Sequence, residues 1–536
     1  MMASRDVLQL APLVLATAIP SILMVASVFV SERAPFRVPS FVTATTAGLS
    51  GLAVMLQAVV SLLGHPAGGS RLYGLVQLDL VSSAMLVLVC TLAVVVVRYS
   101  RTYLAGESGL DRYARSMLLT VASVTVLVVS NHLGFLLAGW VAAGIFLHQL
   151  LIFYRTRRQA VIVAHKKFLL GRVADLCFVG SLAVMSTKLG TLRIDEINAY
   201  ARQSTGPLSP TLQLATVLLV LGVLLKTAQL PFHGWMLQVM EAPTPVSALL
   251  HAGVVNIGGF VMIRLSPLMA HATIAQDILV AVGLVTALLG SLVMMTRQSI
   301  KLVLAWSTIA QMGFMLVQCG LGVWHLALLH LLAHSFYKAY SFLTSGSVVE
   351  TWRGTSLVKS RKSIWATAAA VLLMGAVGYG VYVAFQRTSL HASVPLQSLA
   401  LALVLSFVPM IAKAVAGGFR ALGRAALFTV GASVLYFAGH AVFEDLIPTM
   451  EVGPALSFRW SIVLGGLVLL FLVQTILQAS PNGLLARILQ PYLHSGLYLD
   501  DWFTRVTFRL WPPQLDRAAP LTPSTSARSS RESRLF

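Results

Sequence analysis

A lysine and a histidine lie inside two apolar runs of this chain, with a helix-breaking segment between them. Lys226 lies near the end of one run, Pro231 breaks that run five residues later, and His251 lies in the next run, after Pro243 and Pro245. A charged group at the centre of a bilayer costs about 2.5–3.5 kcal/mol, and such groups usually mark ion or proton pathways. Non-helical backbone at membrane depth is tolerated where it lines a cavity or packs against protein. The spacing therefore predicts a discontinuous helix that places a proton- or cation-handling lysine in a polar interior.

Further ionisable side chains lie in apolar runs, and three of them share one helix face. His330, His334 and Lys338 recur every four residues, which aligns them along a helix. Neutral imidazole accepts and passes protons near neutral pH, so a proton relay is the favoured interpretation, with hydrogen-bonded core histidines as the alternative. A metal site would need further ligands, which this spacing does not supply. The other candidates for an ion pathway are Lys301, Lys413, Arg172, Asp175 and His148.

Each of these charged groups also has a structural interpretation. Lysine side chains near helix ends can extend to the membrane interface, and this alternative stays open for all four lysines. Arg172 and Asp175 are three residues apart, so they lie on one helix face and can form an ion pair. The sequence leaves open whether that pair is only structural or belongs to the pathway.

Composition places the chain in a membrane. Of its 536 residues, 57% are hydrophobic and 10% are charged, whereas soluble domains carry about 25% charged residues. Apolar runs of membrane-spanning length predict an all-α polytopic membrane protein with about fifteen helices (a range of 14–16). The runs lie near 7–30, 41–63, 76–97, 116–131, 133–153, 168–187, 211–230, 243–263, 274–295, 300–320, 323–347, 364–385, 396–418, 425–443 and 460–479.

The net charge of +20 does not indicate nucleic-acid binding, because that function needs a basic soluble domain. The basic residues instead concentrate in alternate loops, as the positive-inside rule requires. This pattern predicts a protein of the inner (plasma) membrane with the N-terminus outside and the C-terminus in the cytoplasm. The basic clusters lie at 98–115, 155–167, 353–362 and 420–424.

Nothing in the sequence predicts a catalytic residue, a cofactor or a metal. Cys90, Cys177 and Cys319 lie in apolar runs without a second cysteine at ligand spacing, so we interpret them as core residues. The sequence has no Walker loop and no dinucleotide fingerprint. An ion gradient or a partner protein is therefore the predicted energy source.

The chain divides into five predicted regions. Its antiporter-like core is followed by more membrane helices, an interfacial amphipathic segment and a tail rich in Pro, Ser, Thr and Arg that we expect to be disordered. The regions are 1–110 (N-terminal helices), 111–350 (core), 351–480 (C-terminal helices), 481–511 (amphipathic segment) and 512–536 (tail).

Three long motifs resemble one family. The stretches KTAQLPFHGWMLQVMEAPTPVSALLHA, IKLVLAWSTIAQMGF and HLLAHSFYKAYSFLTSGSV are similar to the antiporter-like membrane subunits shared by respiratory complex I and the multisubunit cation/proton antiporters. The resemblance covers most of residues 70–350. It implies two inverted repeats with broken helices, in which Lys226 is the central lysine. It also implies that His251, Lys301 and the paired histidines form a connecting polar axis, and that Lys413 matches the lysine of the second broken helix.

Two departures from that family stand out. Its members usually carry a glutamate after the tryptophan of the fifth helix, which pairs with the lysine, whereas this chain has Val141 there. His148 lies seven residues on, on the same face, and is either the substitute partner or an interfacial histidine. The chain is also too short after Ser480 for the lateral helix of the distal complex I subunit.

The segments LHQLLIFY and AHKKFLLGRVADLCF resemble a narrower family, the DabB membrane subunits of two-component inorganic-carbon pumps. That resemblance implies a cytoplasmic zinc-binding DabA partner, similar to a β-type carbonic anhydrase, that uses a cation gradient to convert CO2 to bicarbonate. This chain would be the ion-conducting, non-enzymatic half. The alternatives are a Na+/H+ antiporter or respiratory proton-pumping subunit, and an assembly scaffold without ion flux.

Overall fold

The computed structural model describes residues 2–62, 70–72, 74–237, 241–347, 405–415, 418–446 and 454–511, with the single positions 370, 372, 376 and 379. Within these ranges the chain is almost entirely helical, and ten helices are long and apolar enough to cross a membrane. The prediction of an all-α polytopic membrane protein is confirmed. The predicted helix at 364–385 lies almost entirely outside the described residues.

The helices follow the predicted runs closely. In chain order they are α1 (Met2–Val28), α2 (Arg37–Leu62), α3 (Leu80–Tyr103), α4 (Leu110–Val129), α5 (Leu133–Leu151), α6 (Arg158–Leu189), α7 (Ile194–Gln203), α8 (Pro210–Lys226), α9 (Gly234–Leu237), α10 (Thr244–Leu249), α11 (Ile257–Arg264), α12 (Ser266–Ala270), α13 (Thr273–Met294), α14 (Ile300–Gly320), α15 (Trp324–Leu343), α16 (Leu405–Val415), α17 (Phe419–Leu446), α18 (Pro454–Ala479), α19 (Leu484–His494) and α20 (Leu499–Leu510).

Several helices start some residues away from the predicted boundary, and for α3 and α6 the cause is local. The run predicted from residue 76 begins with a strand, β2 (Val76–Leu78), which pairs antiparallel with β1 (Ser70–Leu72). Helix α3 starts only after Asp79, whose side chain accepts a hydrogen bond from the Ser82 backbone and caps the helix. Helix α6 begins ten residues before the predicted run at 168, because its first turns contain the polar stretch at 165–167 that lowers hydropathy without breaking a helix.

The predicted helix break is confirmed. Helix α8 stops at Lys226, and the backbone from Thr227 to His233 is non-helical, with Ala228 in the left-handed region at φ 53°. Pro231 cannot donate a backbone hydrogen bond, so it cannot continue a helix. The next span is also interrupted, because a π-helical turn (Leu250–Val254) separates α10 from α11. Such π turns occur often at functional sites.

Small residues set how closely the helices approach one another. A Cβ on Gly222 of α8 would lie 3.0 Å from the Ala174 carbonyl oxygen of α6, and one on Gly283 of α13 would lie 2.7 Å from the Gly313 oxygen of α14. Close backbone approach at small residues is typical of membrane helix packing. Because Ala174 and Gly222 stand near Asp175 and Lys226, this contact brings those two side chains within reach of each other.

The amphipathic segment predicted at 481–511 forms two helices, α19 and α20, joined by a 3₁₀ turn at Gly496–Tyr498. They pack against the chain's own core through Leu493 and Phe503. The predicted tail from residue 512 lies outside the described residues.

Candidate functional site

One carboxylate lies between two cations where α8 breaks. The Lys226 Nζ atom is 2.9 Å from Asp175 Oδ1, and Arg172 Nη2 is 2.8 Å from Asp175 Oδ2. The Asp175 side chain is 10% exposed and that of Lys226 is 17% exposed, so both are largely shielded from solvent. The predicted ion pair of Arg172 with Asp175 is present, and its carboxylate also binds the lysine. We call these three residues the lysine triad.

Helix α5 lies beside the lysine triad but adds no carboxylate to it. The Lys226 Nζ atom lies 5.0 Å from the centroid of the Trp140 ring, within cation–π distance. Gly144 faces the same ammonium group, since a Cβ there would be 3.6 Å from Nζ. Lys167 donates a hydrogen bond of 2.7 Å to the Gly144 carbonyl oxygen. These side chains border a cavity that reaches Leu250, in the π-helical turn.

The structure resolves the question that Val141 raises. Lys226 takes its anionic partner from α6, as Asp175, and not from α5. His148, the other candidate partner, packs on Phe168 with ring centroids 5.6 Å apart. The spacing of Arg172 and Asp175 indicated an ion pair, but only the tertiary structure shows that Lys226 shares it.

A second group of polar side chains continues on the other side of the π-helical turn. Lys338 is fully buried and donates hydrogen bonds to the Leu304 carbonyl oxygen, at 3.1 Å, and to the Ser307 hydroxyl. One turn earlier, the buried His334 side chain lies within electrostatic range of Lys338 and His251. The shared face predicted for His334 and Lys338 is therefore directed into the protein.

His330 extends this row towards the start of α15. Its ring centroid is 5.9 Å from that of His334, and its Nδ1 atom is 2.9 Å from Gln318 Oε1. We refer to His251, His330, His334 and Lys338 as the histidine–lysine row. The structure brings together all three side chains that the four-residue spacing predicted.

His251 sits in the π-helical turn and is fully buried. Its ring stacks on Phe342 with centroids 4.4 Å apart and planes 21° apart. Neither ring nitrogen has a hydrogen-bond partner within the described ranges. Buried polar atoms are rarely left unpaired. Both ring nitrogens of His251 are therefore placed to form hydrogen bonds with a transient partner.

Lys301 and Lys413 occupy different environments. Lys301, half-buried at the start of α14, donates a hydrogen bond of 3.0 Å to Thr244, whose hydroxyl donates to the Tyr103 hydroxyl at 3.1 Å. Lys413 is exposed on α16, and the structure does not bring it to the histidine–lysine row. Its proposed match to a second broken-helix lysine stays a prediction.

Metal ligation has no support in the described part of the chain, where no group of three His, Cys, Asp or Glu side chains is placed to hold an ion. Cys90 and Cys319 are buried, and Cys177 is partly buried. The lysine triad and the histidine–lysine row present ammonium, guanidinium, carboxylate and imidazole groups, which can bind and pass protons.

Comparison with known proteins gives this geometry a context. Residues 130–414 match the family of NADH:quinone oxidoreductase/Mrp antiporter transmembrane proteins. The probable inorganic carbon transporter subunit DabB of Hydrogenovibrio crunogenus is 36% identical over 511 residues, which is 93% of this chain and 94% of that protein. NADH-quinone oxidoreductase subunit L of Pseudomonas aeruginosa is 36% identical over 276 residues, 51% of this chain and 44% of that protein.

A solved structure has a similar fold. A chain of the membrane-bound sulfane sulfur reductase, an archaeal respiratory membrane complex, superimposes with a TM-score of 0.53 over 93% of this chain and 99% of that chain. The two sequences are 16% identical, so this likeness concerns the fold alone.

Proposed function

Because the chain belongs to the DabB family, within the NADH:quinone oxidoreductase/Mrp antiporter membrane proteins, we propose that it is the ion-conducting subunit of an energy-coupled inorganic-carbon accumulation complex. In this proposal a proton or cation moves down its gradient through the chain and drives CO2 hydration in a cytoplasmic, zinc-binding DabA-like partner. The chain itself is a transporter subunit and carries no catalytic centre.

The pairing of Lys226 with Asp175 is the observation that carries the proposal. A scaffold has no need of a charged triad beside a cavity at a helix break, since charges at membrane depth are costly. A lysine with a carboxylate 2.9 Å away can hold a proton while it is paired and release it when the carboxylate turns to Arg172. Asp175 thus supplies the anion that the missing fifth-helix carboxylate would have provided.

The pathway we propose runs from the lysine triad to the histidine–lysine row. A proton arriving from outside passes by Lys226, His251 and Lys301 to the face formed by His330, His334 and Lys338. Its arrival changes the charge at the cytoplasmic surface, where the basic loops and the 481–511 segment are the candidate docking surface for the partner.

The energy available is sufficient. One proton crossing 100 mV releases about 2.3 kcal/mol, and a tenfold concentration ratio costs about 1.4 kcal/mol. One proton across a typical membrane potential therefore sustains a gradient of roughly a hundredfold, which suits a device that accumulates bicarbonate.

Co-expression tests the proposal. Bacterial cells that lack carbonic anhydrase receive this chain with its DabA-like partner, and growth in air is measured. We expect rescue by the wild-type pair, loss of rescue with Lys226→Ala, and full rescue with Lys188→Ala, a control at an exposed lysine at the end of α6. Co-purification of the two subunits verifies that each variant assembles.

The alternatives give different results. Rescue that survives both Lys226→Ala and Asp175→Asn would indicate a scaffold without ion flux. Failure of the wild-type pair to rescue, with Lys226-dependent Na+ or H+ exchange in membrane vesicles, would indicate an antiporter or respiratory subunit, to which the family match also extends.

A further inference from the structure

The C-terminal helices close over the chain's own broken helix. Phe503 of α20 packs edge-on against Phe232 of the break, with ring centroids 5.7 Å apart. Arg297, which follows α13, donates a hydrogen bond of 3.2 Å to the Leu493 carbonyl oxygen of α19. At the far end of α20, a ring nitrogen of His165 lies 2.7 Å from the Trp511 carbonyl oxygen. The segment is thus held at its start, middle and end.

Asp500, in the first turn of α20, binds a buried lysine of α6. Its Oδ1 atom lies 2.8 Å from Lys166 Nζ. The Lys166 side chain is completely buried, whereas that of Asp500 is 22% exposed. Gly234, the first residue of α9, makes room for this carboxylate, because a Cβ at that position would overlap it. A fully buried lysine is thus paired with a partly exposed carboxylate of the C-terminal segment.

A buried histidine lies near the Asp500 carboxylate. His233, next to Gly234, is fully buried, and its Nε2 atom has no hydrogen-bond partner among the residues described. His233 lies within electrostatic range of Asp500, Lys166 and Arg297, the charged groups that face this site from α20, α6 and the end of α13. Its ring also packs on Trp306, with centroids 4.8 Å apart.

Helix α6 connects this place to the lysine triad. Lys166 binds Asp500, while the adjacent Lys167 binds the Gly144 carbonyl oxygen beside Lys226. Arg172 and Asp175 follow on the same helix. The charged side chains of one helix thus extend from the solvent-facing carboxylate to the buried lysine.

We propose that Asp500 is a proton port of the pathway, a carboxylate that exchanges protons between solvent and the buried groups leading to Lys226. This rests on the proposed function. In each passage the Asp500 carboxylate takes one proton from a hydronium ion, passes one proton to the unpaired His233 nitrogen, and returns to the carboxylate form. The proton then leaves His233 towards the lysine triad, so Asp500 and His233 each return to their starting protonation state. Under the predicted topology the port faces the cytoplasm. For a proton that has reached Lys226 from outside, the same steps run in reverse and release it from Asp500 into the cytoplasm.

The competing explanation is that Asp500 only neutralises Lys166 and holds α20 in place. Three variants of the full complex in proteoliposomes separate the two: Asp500→Asn, the matched control Asp501→Asn at the adjacent exposed carboxylate, and the charge-neutral double variant Lys166→Gln/Asp500→Asn. The measurement is proton uptake driven by an imposed potential in the presence of CO2, across a range of pH around neutrality.

If Asp500 is the port, Asp501→Asn behaves as wild type, and Asp500→Asn lowers uptake by about 10²-fold, as for loss of a proton-transfer group, with a flattened pH profile. The double variant stays equally low, because it restores charge balance but not a titratable carboxylate. It also covers the case in which Asp500→Asn fails to assemble, since it leaves no unpaired buried lysine.

Recovery of uptake in the double variant, or normal uptake in Asp500→Asn, would overturn the port while leaving the proposed function standing. Wild-type uptake no greater than that of Lys226→Ala would overturn the proposed function and the port together. The two failures are therefore distinguishable in a single series.

Discussion

Lys226 and Lys338, two lysines of the proposed pathway, have opposite kinds of partner. Lys226 has a carboxylate at 2.9 Å, shared with Arg172, and an indole face at 5.0 Å. Lys338 is fully buried with a carbonyl oxygen and a hydroxyl as its hydrogen-bond partners, and no carboxylate of the described residues pairs with it. One lysine is balanced by charge and the other by neutral dipoles.

The contrast suggests a division of labour. A charge-balanced lysine is stable in its protonated form and can act as a store for a proton. A lysine that meets only neutral partners is costly to keep charged in a low-dielectric interior, so it favours passing its proton on. The carboxylate beside Lys226 fits a residue that stores a proton. The imidazoles beside Lys338 fit a relay that carries the proton onward.

The largest effect is expected at the carboxylate of the lysine triad. Asp175→Asn leaves Lys226 and Arg172 without their shared anion, and breaking a buried ion pair in this way costs about 3–5 kcal/mol. We expect loss of growth rescue and a lower melting temperature of the purified complex. Asp277→Asn is the control, because that carboxylate pairs with Arg459 and is 62% exposed. Equal growth rescue and equal melting temperatures of the two variants would mean that the lysine triad has no role beyond that of an ordinary ion pair.

At the second lysine we expect a large loss of flux with a smaller loss of stability. Lys338→Gln removes a proton-transfer group, worth about 10²-fold in rate, but strands no buried anion. The Leu304 carbonyl and Ser307 hydroxyl lose a charged donor, at a cost of about 1–3 kcal/mol. Proton uptake and thermal unfolding measured side by side check this. Unfolding as severe as that of Asp175→Asn would show that the second site holds a counter-charge after all.

The two histidines of the row are expected to differ. His334 lies one turn from Lys338 and within electrostatic range of it and of His251, whereas His330 binds the Gln318 amide. An amide can replace the second interaction but cannot relay a proton. His334→Gln should therefore lower proton uptake by about 10²-fold, and His330→Gln by less than tenfold. The reverse order would place the relay at the outer histidine.

The smallest effect is expected from the aromatic face beside Lys226. Trp140→Leu removes a cation–π contact worth about 0.5–2 kcal/mol, while Trp140→Phe keeps an aromatic ring. Uptake should fall severalfold in the first variant and little in the second. A matched change at the second site, Tyr337→Leu, removes a ring that is 5.6 Å from Lys338 Nζ but 61% exposed, and we expect a still smaller effect.

Helix positions and the break were accessible from the sequence because hydropathy and proline act locally. The separation of α4 from α5, and of α14 from α15, follows from short polar or glycine-containing stretches. The predicted start of α3 at residue 76 was wrong. A hydropathy window does not detect that Asp79 caps the helix, nor that the preceding residues pair as strand β2.

The amino-acid sequence by itself determined which charged and imidazole groups enter the membrane, and that His330, His334 and Lys338 share a face, since helical periodicity fixes neighbours three or four residues apart. Only the tertiary structure decided that Asp175 pairs with Lys226 and that Asp500 reaches Lys166. These pairs join distant segments of the chain, and the close approach of one helix to another, at Gly222 and Gly234, is a property of packing that no local pattern encodes.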